Sequence, residues 1–395
     1  MRCTSAGLGV RQGVMRGHMV VPCKTMIAGE YSVLEPGGKA LSVAEGVGLR
    51  IGVAAAEEVG LQVTALGIRC NWTLDELRGG QEPEPGLSRC FWWSARVVAA
   101  WASSARLRQL VDVEEEEQEV HVELADLAGV ELVVESAGGR RLPVGSSAAL
   151  AVGSVRALTL HMGFELEDIE VFRLAVMAHA LSQRGGSGYD VAASTMGGWT
   201  MYERPLEGVL PWDGWDVASC LDFEALEGTL AFALEFADWP AVRRRPRQAL
   251  GVIVAHTGVK AETARFLRAY DAARGNAAFR EALVEHQRVS NMLIGQLWQG
   301  APSGTIAESV RNSVATLRSL DEAGGMGIYT GEINALLFEA SRSGAVAKVS
   351  GAGGGDCVVA LAWARDDLAA CAAAWSNAGF EVIPVTTPWK RRSSL

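Results

Sequence analysis

Arg141-Leu142-Pro143-Val144-Gly145-Ser146-Ser147-Ala148-Ala149-Leu150-Ala151-Val152 is the stretch on which the reading of this chain turns. A β-rich run, Leu132-Val133-Val134, and a Gly138-Gly139 turn precede it, and an apolar run from Ser147 to about Met162 follows at helical spacing. The pattern predicts a strand that passes through a loop of small residues into a helix. Small side chains at Gly145, Ser146, Ser147 and Ala148 let backbone N–H groups approach a ligand closely, and a helix N-terminus behind them favours negative charge. Such a loop is a phosphate cradle. The plainer reading is a tight turn capped by Ser147 at the start of a buried helix. The GxxxxGK[ST] spacing of a Walker loop is missing, so a lysine has to come from elsewhere.

Two other stretches supply it: Val21-Pro22-Cys23-Lys24-Thr25-Met26-Ile27-Ala28-Gly29-Glu30-Tyr31, and Lys348-Val349-Ser350-Gly351-Ala352-Gly353-Gly354-Gly355-Asp356-Cys357. A fourth, Gly185-Gly186-Ser187-Gly188-Tyr189-Asp190-Val191-Ala192-Ala193-Ser194, sets a lone acid behind three glycines and a serine. Its loop would approach a ligand and aim one carboxylate at it; the structural alternative is Asp190 as a helix cap. In their order and placement these stretches resemble the signature motifs of the GHMP kinases, small-molecule kinases of the galactose, homoserine, mevalonate and phosphomevalonate type. The last glycine run is most similar to the K-P-S-G-A-G-G-G-D-C of the phosphomevalonate kinases, with Val349 where proline is usual. The resemblance covers roughly residues 19–387.

The resemblance implies an α+β chain with the two-domain GHMP kinase fold. An N-terminal domain of the ribosomal-S5 domain 2 type would be followed by a ferredoxin-like C-terminal domain, with ATP and acceptor in the cleft between them. The Pro- and Gly-rich composition of residues 203–217 suggests the boundary. The expected division is therefore a loose extension at 1–18, an ATP-binding domain at 19–205 and a C-terminal domain at 206–395; Met15 and Met19 are alternative starts. ATP and Mg²⁺ are the implied cofactors. Gly145, Ser146, Ser147 and Ala148 would hold the phosphates, with the Ser147 hydroxyl available to Mg²⁺. Gly351, Ala352, Gly353 and Gly354 would cover them. Lys24 would bridge the γ-phosphate and the acceptor, and Asp190 would serve as catalytic base or as partner of the lysine. Arg141 and Lys348, flanking the two glycine loops, would neutralise the acceptor, and Ser187 would orient it.

The implied reaction is phosphorylation of 5-phosphomevalonate to 5-diphosphomevalonate on the mevalonate route to isoprenoids. The alternatives are another small acceptor, such as mevalonate, or a non-catalytic binding paralogue. Mevalonate kinases carry a magnesium-binding glutamate about eleven positions before the aspartate; His179 stands there in this chain, and an imidazole suits a hard cation poorly. Two departures from the family pattern bear on activity. Cys23 replaces the glycine before the lysine, and Pro143 replaces the first glycine of the phosphate loop, fixing φ and removing an N–H.

Composition agrees with a small-molecule site. The chain has 395 residues, 49% of them hydrophobic, and a net charge of −10, so it offers no basic field for a nucleic-acid backbone. Seven cysteines without a CxxC pair fit reduced thiols in a cytoplasmic protein, and no apolar run is long enough to span a membrane. The expected state is a monomer or homodimer whose partner is a phosphorylated hydroxy acid.

Smaller expectations complete the reading. Residues 19–34 should form a hairpin, and Ser42–Ala56 a further strand. Leu87–Leu110 should be a helix whose Phe91, Trp92 and Trp93 belong to the core, with adenine stacking as the alternative. Val120, Val122 and Leu124 alternate as a strand after an acidic run. The Arg243–Arg247 run should be solvated, with a phosphate-facing lip as the alternative. The last glycine loop should lie between a helix and the strand beginning at Cys357.

Overall fold

The computed structural model describes residues 9–11, 14–16, 18–111, 127, 129–137, 145–206, 210–235, 239–245, 250–259 and 263–386. Arg141 and Pro143, the run 114–124, Arg247 and Glu262 therefore lie outside the described residues. Two compact units interleave along the chain. The first comprises Met1–Cys23, Val47–Met196 and Val209–Trp239; the second comprises Lys24–Gly46, Gly197–Gly208 and Pro240–Leu395. Where a single cut near residue 205 was expected, the compact units each draw on three segments.

The first unit is built on a five-stranded sheet in the order His18–Pro22, Gly48–Ala55, Val130–Ala137, Val59–Val63, Ile68–Trp72. All neighbours are antiparallel except Val59–Val63 against Val130–Ala137. Leu49, Ile51, Leu61, Leu132 and Val134 are buried on it. The helix Ser146–His161 is buried almost all round, as its unbroken apolar and small residues require. It ends in a reversal at Met162-Gly163, where the Phe164 N–H bonds the Thr159 carbonyl at 2.8 Å. Helix Leu87–Val111 matches its expectation closely. Phe91, Trp92 and Trp93 are all 0% exposed, which makes them core and removes adenine stacking as their role. Arg96, also fully buried, donates to the Leu77, Cys220 and Leu221 carbonyls and lies over the Trp92 ring.

The second unit carries two four-stranded antiparallel sheets. One runs Ala241–Arg245, Gly198–Glu203, Lys39–Ala44, Thr25–Ala28; the other runs Val346–Ser350, Cys357–Ala362, Gly251–His256, Glu381–Thr386. The order of the latter, with helices Gly331–Ser341 and Arg365–Asn377 packed on it, is the ferredoxin-like arrangement expected of the C-terminal domain. Its core joins Tyr31, Phe266, Tyr270, Phe279, Ile328, Val358 and Trp375. The arginine run occupies the edge strand Ala241–Arg245, largely exposed.

Three local expectations are corrected. Residues 19–34 are not a hairpin: His18–Pro22 pairs with Gly48–Ala55 in the first unit, whereas Thr25–Ala28 pairs with Lys39–Ala44 in the second. Pro22 lacks an N–H to extend its ladder, and Cys23 closes it with a 2.9 Å bond to the Val47 carbonyl. The strand expected over Ser42–Ala56 is two strands, Lys39–Ala44 and Gly48–Ala55, parted by a turn at Gly46. The final glycine loop joins two strands rather than a helix and a strand. Val349 pairs with Val358 inside that ladder, a position where a β-branched residue with an N–H serves better than proline.

Candidate active site

In the first unit, Gly145 opens the phosphate loop's helix as its N-cap at φ 82°, a left-handed conformation that a side chain would strain. No side chain caps this helix start, so Ser147 is not the cap that the plainer reading proposed. Ser146 and Ser147 are half-buried in the first turn, and Ala148 is buried beneath them. The Ser147 hydroxyl accepts from Gln183 Nε2 at 3.4 Å. Its carbonyl accepts from the Cys90 thiol, also at 3.4 Å. Burial pushes that thiol up to about 12, hydrogen bonding from Ser147 and Ser182 opposes the shift, and the Asp190 charge adds to it. Cys90 is therefore neutral, bonded to the Ser147 carbonyl and subject to the Asp190 charge.

The acid sits in the first turn of helix Tyr189–Met196, where Asp190 Oδ1 accepts from the Val191 N–H at 3.0 Å. It is not an N-cap, and it is half-buried. The preceding helix, Asp168–Gln183, ends at Arg184 with φ 64°. That is an uncommon conformation for a residue with a side chain, and the Arg184 guanidinium is held by Glu82, which also accepts from the Trp93 indole at 2.6 Å. Ser187 is buried in the loop that follows. His179 is half-buried within Asp168–Gln183.

In the second unit, Lys24 lies just before strand Thr25–Ala28, half-buried, with its charge near Cys357. Burial raises the Cys357 thiol to about 12, Asp356 adds to the shift, and Lys24 opposes it. The Lys24 charge thus acts on Cys357, the residue that follows the glycine loop. Among the described residues, those with a side chain at positive φ are Tyr31, Arg184 and Asp356; Cys23 is not one of them, so the replaced glycine costs no strain there. The loop itself is anchored at both flanks. Tyr31 donates its hydroxyl to the Ala352 carbonyl at 2.5 Å, the Gly354 N–H bonds the Ile328 carbonyl at 2.8 Å, and the Asp356 N–H bonds the Val259 carbonyl at 2.7 Å. A Cβ on Gly354 would overlap the Phe266 ring.

Lys348 requires a correction. It was expected to meet the acceptor, yet it is 1% exposed, and its ammonium donates to Glu30 Oε1 at 2.5 Å and to the Val349 carbonyl at 2.9 Å. Burial pushes the ammonium below its ordinary range, and Glu30 opposes that shift. The charge is used inside the unit. His286 extends the network, bonding the Glu30 carbonyl and the Thr316 hydroxyl at 2.9 Å each. Burial pushes it down to about 4, so it is neutral at physiological pH. The sequence around Glu30, Tyr31, Cys90 and His286 gives no sign of these roles, because the partners of Cys90 and His286 are 57 and 256 residues away. Among the described residues, no group of three or more His, Cys, Asp or Glu is placed to hold a metal ion, and no helix is long and apolar enough to cross a membrane.

A family model described as the GHMP kinases N terminal domain matches residues 113–198, and one described as GHMP kinases C terminal matches residues 305–381. A phosphomevalonate kinase from a Streptomyces species is 31% identical, covering 92% of this chain and 95% of the relative. A mevalonate kinase from Thermococcus gammatolerans is 25% identical, covering 88% of this chain and 90% of its own. The Streptococcus pneumoniae phosphomevalonate kinase, solved in complex with phosphomevalonate and AMPPNP, shares the fold. Its TM-score is 0.70 at 21% identity, over 94% of this chain and 100% of that one. With both family models matched in order and a relative alike along almost its whole length, the chain belongs to the GHMP kinase family.

Proposed function

We propose that this kinase transfers the γ-phosphoryl group of ATP to the phosphate of 5-phosphomevalonate. The observation that carries the reading is the Streptomyces phosphomevalonate kinase, 31% identical across 92% of this chain. The Lys348–Cys357 run, which matches phosphomevalonate kinases in all but Val349, supports it. In the reaction a phosphate oxygen of the acceptor attacks the γ-phosphorus, the bond from that phosphorus to the β-bridging oxygen breaks, and ADP leaves. Little covalent help is required; positioning and neutralisation of charge dominate.

The residues take roles accordingly. N–H groups at Gly145, Ser146, Ser147 and Ala148 hold the β- and γ-phosphates at a helix N-terminus. Gly351 to Gly354 are a second set of phosphate-binding residues, with Tyr31 bonded to the Ala352 carbonyl. Lys24 neutralises the group in transfer. Asp190 and Ser187 orient the acceptor, and Arg141 meets its charge. Lys348 supports the glycine loop's strand and takes no part in the acceptor's contacts. Magnesium arriving with ATP supplies further neutralisation. One hydroxyl at Ser147 and one carboxylate at Asp190, both near Cys90, suit an ion that keeps its phosphate and water ligands better than one caged by protein.

A coupled ADP-release assay across 5-phosphomevalonate, mevalonate, homoserine and galactose tests the acceptor. The phosphorylated compound should give the largest kcat/KM, and mevalonate turned over equally well would remove the assignment. The same reading fixes what Asp190 does. A phosphomonoester has its second pKa near about 6 and is largely dianionic at neutral pH, so no hydroxyl proton has to be removed. Asp190→Asn should therefore lower turnover near the bottom of the about 10²–10⁴-fold range for loss of a general base. Below about pH 6 the acceptor gains a proton and becomes the weaker nucleophile, so activity falls as pH drops, in wild type and variant alike. An acidic limb that vanishes in the Asn variant would assign that ionisation to Asp190 and make it a base.

A further inference from the structure

The stretch 203–217, read as a boundary, returns a side chain to the loop before Asp190. Leu210 and Asp213 close a turn on each other: the Asp213 N–H bonds the Leu210 carbonyl, and the Leu210 N–H bonds Asp213 Oδ2, both at 2.9 Å. Between them Trp212, 3% exposed, points its indole into the first unit. Its Nε1 donates to the Gly186 carbonyl at 2.9 Å. Its six-membered ring lies so close to Gly188, which sits at φ +79°, that a Cβ there would fall 2.9 Å from Cζ2. Trp239 backs the indole at 5.8 Å between centroids, and Phe172 in turn meets Trp239 at 6.2 Å. The two indoles differ in one respect: the Trp239 N–H has no partner among the described residues, whereas that of Trp212 is used on the loop.

Gly185 and Gly186, at φ +126° and +131°, have open space where a side chain would be. A loop of such residues has wide conformational freedom, and an external hold is needed to give it one shape. In a trans peptide the carbonyl and the following N–H point in opposite directions, so fixing the Gly186 carbonyl on Trp212 also fixes the direction of the Ser187 N–H. We propose that Trp212 is a positioning residue for the acceptor, setting the Gly185–Gly188 loop that presents Ser187 and Asp190. The proposal rests on the reading of those two residues as the acceptor side of the site.

The test pairs kinetics with amide hydrogen exchange in Trp212→Phe, which keeps a ring and loses the donor. Losing one hydrogen bond of ordinary strength should raise KM for 5-phosphomevalonate by about five- to tenfold while KM for ATP stays within about twofold. Peptides spanning 185–190 should exchange faster in the same variant without ligand. Trp212→His, which retains a ring N–H, should recover part of the acceptor KM; if the Phe variant does not fold, Trp212→Tyr, which has no donor at the indole N–H position, takes its place in the exchange comparison. Unchanged exchange over 185–190, or equal rises in both KM values, would overturn the proposal. Absence of turnover by wild type with 5-phosphomevalonate would instead sink the acceptor assignment, and the exchange comparison would still decide the role of Trp212.

Discussion

Lys24→Met should lower kcat by about 10³-fold with the dissociation constant for ATP nearly unchanged. The charge of Lys24 opposes the rise in the thiol pKa of Cys357, the residue that follows the glycine loop. A cation held there contributes most where negative charge develops on the transferring group, and removing a preorganised donor or cation of this kind costs about 10²–10⁵-fold in comparable sites. Methionine keeps the length and apolar stem, so the packing before Thr25 should survive. On the proposed reading ATP is held by many backbone N–H groups, so its ground-state binding should scarcely change. Steady-state kinetics with a fluorescent-nucleotide titration separate the two effects. A kcat within tenfold of wild type would return Lys24 to the ordinary lysines of a strand edge.

Lys348→Met should act on stability first. Its ammonium and Glu30 form an ion pair with side chains 1% and 0% exposed, and Glu30 Oε2 already lacks a partner among the described residues. Removing one member leaves a buried carboxylate uncompensated, at a cost of about 3–5 kcal/mol. The double variant Lys348→Met/Glu30→Leu should recover much of that loss, because an apolar pair of similar volume avoids desolvating two charges. Urea unfolding of the single and double variants measures it. If Lys348 met the acceptor instead, the single variant would unfold like wild type and show a raised acceptor KM.

The four glycine and serine stretches were legible because their composition is itself the signal: small residues at a helix start, or glycines where backbone must approach a ligand. Strands and helices with unbroken patterns, such as Leu87–Val111 and Ser146–His161, were legible for the same local reason. What stayed hidden was pairing over distance. Nothing near Lys348 in the sequence announces Glu30, 318 positions away, and a flanking lysine therefore resembled a substrate contact. Trp212 was obscured by the prolines and glycines around it, which look like a linker although the Leu210–Asp213 turn among them carries an indole that bonds Gly186. The sheet change at Cys23-Lys24 was equally silent, since both strands have the alternation of a hairpin and only their partners differ.

The central claim is that phosphate, not a hydroxyl, is the nucleophile, and phosphorus NMR of the product tests it most directly. Incubation of the enzyme with ATP, magnesium and 5-phosphomevalonate should convert the acceptor's single phosphomonoester resonance into two mutually coupled resonances of a diphosphate ester. Retention of that monoester resonance beside a second, uncoupled monoester would mean transfer to a hydroxyl group, and would contradict the account.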